Sequence, residues 1–388
     1  MNNTAHSLII AFLLWAIFTS CNQQKSNLKT PSGLTRQNFQ TVVNGDSTDL
    51  FTIVNTKGME VSITNYGARI VSLVVPDKDG RPLDVVLGFD HIDDYLSKPS
   101  SFGATMGRVT NRIGYGRFVL DGDTIQLDKN NGPHTIHGGN AGWRQQVFDA
   151  EQPNDSTLIL SYLSPDGEAG FPGNVRVTVK FTVTTANALT IDYAAQTDRK
   201  TVINMTNHSF FNLSGNPENS IMDNTLYVNA NHFTPLDTSL ITTGEILSVA
   251  GTPFDFNQPL TIKEGIARDS TNKQLQIVGG LDHNWVLNTG GDPTILAAKL
   301  YAPSSGIALE VFTNEPGIQV YTGNMLDGSQ NGKGGHPFSK QTAVCLETQH
   351  FPDAPNKPEW PSIVLMPEHA YHSICTYQFT IGQESKDK

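Results

Sequence analysis

The sequence predicts an all-β protein: one large, mostly antiparallel β-sandwich with few short helices. Three observations predict it. Apolar and polar residues alternate strictly along Val175-Arg176-Val177-Thr178-Val179-Lys180-Phe181-Thr182-Val183, the period of two expected of a strand with one buried face. Turn formers are abundant, with 34 Gly and 21 Pro, while only 16% of the 388 residues are charged; many short strands need many turns. No segment sustains a capped 3.6-residue apolar period.

Taken in order, the chain opens on an apolar run, Leu8 to Phe18, too short to span a membrane. Phe18-Thr19-Ser20-Cys21 follows and resembles a bacterial lipobox, which would place a diacylglycerol on Cys21. The first seven residues carry no Lys or Arg, so an ordinary signal peptide or an uncleaved anchor stays open. Residues 1–21 are thus read as a signal peptide with a lipobox-like end, 22–37 as a polar tether, and 38–382 as one domain. The expected location is outside the cytoplasm, as a periplasmic or outer-membrane lipoprotein of a bacterium.

Within the domain, residues 158–163 and 189–193 flank the alternating strand. Residues 117–120 and 124–127 bracket Asp121-Gly122-Asp123 and read as a hairpin, because Asp-Gly readily takes positive φ. A second hairpin runs from Tyr301 to Phe312 around Pro303-Ser304-Ser305-Gly306. Short helical turns are expected near Asp93–Leu96 and Ile262–Arg268.

Composition excludes some function classes. The formal net charge is −11, with 26 Lys+Arg against 37 Asp+Glu. Nucleic acids and anionic membranes require basic patches, so neither is an expected partner; membrane contact is expected only through the N-terminal lipid. The three cysteines, Cys21, Cys345 and Cys375, make neither a disulfide framework nor a zinc pattern. Cys345 and Cys375 read as buried free thiols, with pairing in an oxidising compartment as the alternative.

Several segments carry chemistry. Gly107-Arg108-Val109-Thr110-Asn111-Arg112-Ile113-Gly114 combines backbone freedom with the donors Asn111 and Arg112. His134-Thr135-Ile136-His137-Gly138-Gly139 holds two histidines, but no third ligand completes a metal site, and no metal is expected. Asn207-His208-Ser209-Phe210-Phe211 sets a histidine among amides and rings. Leu281-Asp282-His283-Asn284-Trp285 follows two glycines. Gln319 sits in a strand-like stretch. Glu347 follows the apolar run Ala343-Val344-Cys345-Leu346 and precedes the loop Gln349 to Asn356, rich in proline and aromatic residues.

Asn111-Arg112-Ile113, Thr135-Ile136-His137-Gly138-Gly139, Thr206-Asn207-His208-Ser209-Phe210-Phe211-Asn212-Leu213, Leu281-Asp282-His283-Asn284 and Leu346-Glu347-Thr348-Gln349 together resemble the signatures of the aldose 1-epimerase (galactose mutarotase) family, in the family's order, over residues 38 to 382. The resemblance implies a galactose mutarotase-like β-supersandwich that interconverts the α and β anomers of free aldoses such as glucose and galactose, with no cofactor. It implies that Glu347 is the general base, His208 the general acid, and His137 a second histidine near the ring oxygen. It implies sugar contacts from Asn111, Arg112, Ser209, Phe210, Asp282 and Gln319.

The residues suit that chemistry. A carboxylate can take the proton of the anomeric hydroxyl while an imidazolium protonates the ring oxygen. Glu347 or Asp282 is expected to hold His208 charged. Phe210, Phe211 or Trp285 can stack on a sugar face. Two other readings use the same residues: a non-catalytic sugar-binding lipoprotein, and a glycoside hydrolase with Asp282 and Glu347 as its two carboxylates. An epimerase for phosphorylated sugars would need further basic residues. The sequence is compatible with a monomer or a dimer.

Overall fold

A computed structural model describes residues 31–97 and 100–382. The apolar run, the lipobox-like Cys21 and residues 22–30 of the expected tether lie outside the described residues. Of residues 31–37, also expected to be tether, Leu34 packs on the domain while most of the others are exposed. Leu34 is buried, and a short 3₁₀ turn, Arg36–Phe39, buries Phe39 and pairs Arg36 with Asp49.

The largest sheet has nine strands, in the order Asp149–Asn154, Thr157–Ser164, Val175–Val183, Ala188–Thr197, Tyr371–Ile381, Ile307–Thr313, Leu296–Tyr301, Thr225–Val228 and Leu260–Thr261. All its pairings are antiparallel. Strand Val175–Val183 buries Val175, Val177, Val179, Phe181 and Val183, the residues its alternation assigns to the core. The hairpin at Asp121-Gly122 forms with φ of 54° and 90°, the positive values a two-residue turn requires.

A five-stranded sheet positions the site. Its order is Leu247–Ser248, His232–Thr234, Asp282–Val286, Gly317–Tyr321 and Cys345–Gln349. One face, with Trp285, Ile318, Val320 and Leu346, joins Val179, Ile191, Val311 and Tyr377 of the nine-stranded sheet in a single core. The Tyr377 hydroxyl crosses that core to donate to the Leu346 carbonyl at 2.8 Å. A four-stranded sheet, Leu50–Val54, Glu60–Thr64, Arg69–Pro76 and Pro82–Asp84, adds Ile53, Val61, Ile63 and Leu73 to the same core.

Among the described residues there are three α-helices, Ile92–Ser97, Ile262–Ala267 and Lys273–Val278. The first two fall where helical turns were expected. Thr261 and Glu264 make a reciprocal capping box on the second. The third, between an Asn272 cap and left-handed Gly279, is too short to show a period and was not foreseen. No helix among the described residues is long and apolar enough to cross a membrane. Cys345 and Cys375 are buried and free.

Candidate active site

The pleat of the five-stranded sheet builds one wall of a cavity. Asp282, Tyr321 and Cys345 stand in register across three strands, and so do Asn284, Gln319 and Glu347. These two rows are two residues apart, so all six side chains leave the same face. His283, Val320 and Leu346 leave the other face, into the core. Glu347 is therefore held in mid-strand, under the loop that follows.

The opposite wall comes from a two-stranded pairing of Arg112–Ile113 with Thr135–Ile136. Asn111 and His137 border that pairing, both at left-handed φ, 59° and 51°. They are locked together: the Asn111 N–H donates to His137 Nδ1 at 3.2 Å, and the His137 N–H donates to the Asn111 carbonyl at 3.1 Å. With Nδ1 accepting, the neutral His137 ring carries its proton on Nε2. Gly138 must be glycine, since its φ is 82° and an added Cβ would sit 1.9 Å from the Gly107 carbonyl oxygen.

His208 follows the short strand Thr206–Asn207, which pairs with Thr105–Met106. Its backbone is pinned on both sides: the His208 N–H donates to Ala104 O and the Gly103 N–H to His208 O, each at 2.9 Å. The cavity between these walls measures about 260 Å³ and is lined by Asn111, Arg112, His137, His208, Asp282 and Glu347. Phe102, Phe210, Tyr321 and Phe338 supply its apolar side. His208 Nε2 lies 3.6 Å from Glu347 Oε1, and both residues are buried, at 6% and 2% exposure. Glu347 Oε2 has no hydrogen-bond partner among the described residues. A buried acceptor of this kind awaits a donor.

Electrostatics correct one expectation. The neighbouring acids do not hold His208 charged. Burial pushes its imidazole down to about 3, and the cationic Arg144 and Arg69 act the same way. Burial lifts the Glu347 carboxyl well above the ordinary range, and the charge of Asp282 lifts it further. In a dry site the neutral pair is preferred over the separated charges. Burial likewise drives His137 well below the usual histidine range. Asp282 is also raised by burial, against the opposing pull of Arg112 and a hydrogen bond from Gln319.

Not every expected contact reaches the cavity. Gln319 is behind the lining, where its Nε2 donates to Asp282 Oδ1 at 2.7 Å. Ser209 is buried behind the lining and its hydroxyl has no partner among the described residues. Of the three candidate stacking rings, Phe210 lines the cavity while Phe211 and Trp285 belong to the core. His134 stands outside the cavity and accepts the Tyr115 N–H at Nδ1, 3.0 Å away.

Other contributors went unseen. Met325, Leu326, Asp327 and Gln330 line the rim, in a segment with no motif to mark it. Arg69 is 1% exposed and holds the wall segment in place. Its guanidinium donates to the Phe102, Arg144 and Ser100 carbonyls at 2.7, 2.9 and 3.2 Å. From sequence, an arginine is a surface residue by default.

A buried carboxyl and imidazole, with a guanidinium and a second histidine beside them, can move protons to and from a small polyhydroxylated molecule. Comparison with known proteins agrees. Residues 49–378 match the family model described as aldose 1-epimerase. The chain is 41% identical over 326 residues to galactose mutarotase from Bos taurus, covering 84% of this chain and 92% of that one. It is 33% identical to aldose 1-epimerase from Escherichia coli K12, covering 85% and 94%. The crystal structure of an aldose epimerase homologue from C. elegans superposes with a TM-score of 0.80 at 29% identity, over 87% of this chain and all of that one. The chain belongs to the aldose 1-epimerase family.

Proposed function

We propose that this isomerase interconverts the α and β anomers of free aldohexoses such as glucose and galactose, with Glu347 as base and His208 as acid. One observation carries the reading: the two side chains face each other at 3.6 Å in the lining of a cavity of about 260 Å³. Neither simple capture of a sugar nor display of hydroxyl donors requires an acid and a base matched in this way.

The pair works around one shared proton. In the ligand-free protein burial raises the Glu347 carboxyl and lowers the His208 imidazole, which favours the proton on Glu347. Sugar hydroxyls that donate to Glu347 favour its charged form, and the proton passes to His208. Glu347 then takes the proton of the C1 hydroxyl as His208 protonates the ring oxygen. The C1–O5 bond breaks and leaves an open aldehyde, with Glu347 protonated and His208 neutral. That is the proton distribution burial also favours in the ligand-free protein, so no separated charge stays buried at the open-chain stage. Rotation about C1–C2 and closure from the other face return both protons and invert the anomer.

Arg112 and the Nε2–H of His137 hold the sugar near its ring oxygen, Asn111 and Asp282 bind its hydroxyls, and Phe210 packs on its C–H face. Gln319 acts by orienting Asp282. Polarimetry on glucose, galactose, xylose and arabinose tests the reading. Acceleration by the wild type and a loss of most of it in Glu347→Gln is expected; equal rates in the two proteins would overturn it.

We also propose that the protein is exported and anchored by lipid at Cys21, on the strength of the apolar run Leu8 to Phe18 and the small residue before the cysteine. Membrane association that disappears in Cys21→Ala is expected. A wild type found only in the soluble fraction would refute the anchor.

A further inference from the structure

We propose that Cys345 is a positioning residue for the general acid: an uncharged partner that fixes the His208 ring without stabilising its imidazolium form. The proposal rests on the reading of His208 as the acid at the ring oxygen. Cys345 and Glu347 are two residues apart on one strand and leave the same face. The imidazole lies against both. Its Nε2 is 3.6 Å from Glu347 Oε1, and its Nδ1 is 3.5 Å from Cys345 Sγ. One strand thus meets both ring nitrogens.

The ring's other faces are packed. Phe210 stacks on it at 5.0 Å and 22°, and His137 meets it edge-on at 5.2 Å and 74°. Cys345 is 0% exposed, among Phe210, Tyr321 and Ala343. His208 Nδ1 is its hydrogen-bond partner among the described residues. The charged or titratable groups that bear on the ring from elsewhere are Glu347, His137, Arg144 and Arg69.

The choice of thiol has a chemical consequence. A histidine that works through Nε2 needs its Nδ1 held, and the usual holder is a carboxylate. A carboxylate at Nδ1 strengthens the imidazolium and makes it a poor acid. The ring oxygen of a sugar is a feeble base, so a strong acid is wanted. A thiol accepts weakly from Nδ1–H and donates weakly to a bare Nδ1, so it orients the ring in either protonation state. Burial and the charges of Glu347 and Asp282 hold the Cys345 thiol well above its usual range, and it stays neutral.

The test compares Cys345→Ala, Cys345→Ser and Cys345→Asp by mutarotation kinetics and by NMR titration of the His208 ring nitrogens. Serine keeps a neutral donor and acceptor, so near wild-type kcat and an unmoved His208 titration are expected. Alanine removes the polar hold on Nδ1 and leaves only ring packing to set the angle of Nε2, and kcat should fall roughly 10- to 100-fold with KM unchanged. Aspartate should move the His208 titration upward by more than a unit. Wild-type kcat in Cys345→Ala would overturn the proposal, as would a serine variant no better than alanine, or a wild-type His208 that titrates at its ordinary value. The last of these needs no variant to fold. His208→Asn separates the two readings: if it keeps full activity the acid assignment fails, whatever Cys345 does.

Discussion

Glu347 Oε1 and His208 Nε2 face each other across 3.6 Å, from a sheet strand and from a loop 139 residues earlier in the chain. Their roles predict that Glu347→Gln, nearly isosteric but unable to accept a proton, lowers kcat by about 10²- to 10⁴-fold. Circular dichroism should show an unchanged fold, and polarimetry reads the loss.

His208→Asn should be as severe. His137→Asn should be milder, roughly tenfold, because His137 contributes a hydrogen bond and not a transferred proton. Equal losses in the two variants, measured on the same sugar, would remove the distinction.

The pH profile follows from the shared proton. Below the plateau both groups are protonated and no base remains; above it both are bare and no acid remains. In kcat/KM, which reads the ligand-free protein, the alkaline limb therefore reports the upward-shifted Glu347 carboxyl. The charge of Asp282 raises that carboxyl, so Asp282→Asn should move the alkaline limb of kcat/KM to lower pH while KM rises. A limb that stays in place would show that the Asp282 charge does not reach Glu347.

Stability on the acid side has a separate source. His208 and His283 are both buried, with their imidazoles pushed down to about 3. An unfolded histidine binds its proton near pH 6.5, so between about pH 6.5 and 3 the unfolded chain binds more protons. The contribution of these histidines is complete above that window and is lost as pH falls through it. The raised Glu347 works in the opposite sense, contributing most at acid pH and losing that contribution as pH rises through its folded value. His283→Gln, which can keep a bond to Gln274, should flatten the fall of Tm with acid.

Gly138→Ala should destabilise by about 1–3 kcal/mol, through positive φ and a clash with the Gly107 carbonyl. Because His137 is its neighbour, activity per folded molecule should drop as well. Urea unfolding and polarimetry on the same sample separate the two effects.

Much of this molecule was legible in its residues. Strand Val175–Val183 and its flanking strands could be read because one face is wet and the other dry. The carboxylate and histidines could be read because they sit in distinctive local company. What escaped was set by tertiary contact. Arg69 and Arg108 are buried cations whose terminal guanidinium nitrogens donate to carbonyls and hydroxyls far away in sequence. Phe210 and Phe211 are adjacent and equivalent on paper, yet one lines the cavity and the other the core. The protonation state of His208 depends on how dry its surroundings are, which no neighbour in sequence records.

The in-register rows that carry Asp282, Cys345 and Glu347 make the enzyme sensitive to counting errors. If the strand Cys345–Gln349 zipped up one place out of step, Leu346 and Thr348 would enter the cavity and Glu347 would be driven in among Trp285 and Ile318. Recovery of mutarotation after refolding is thus a proofreading assay for the sheet. Deleting a single residue from this strand should silence the enzyme, whereas lengthening the rim segment around Asp327 changes what the cavity admits and leaves its chemistry in place.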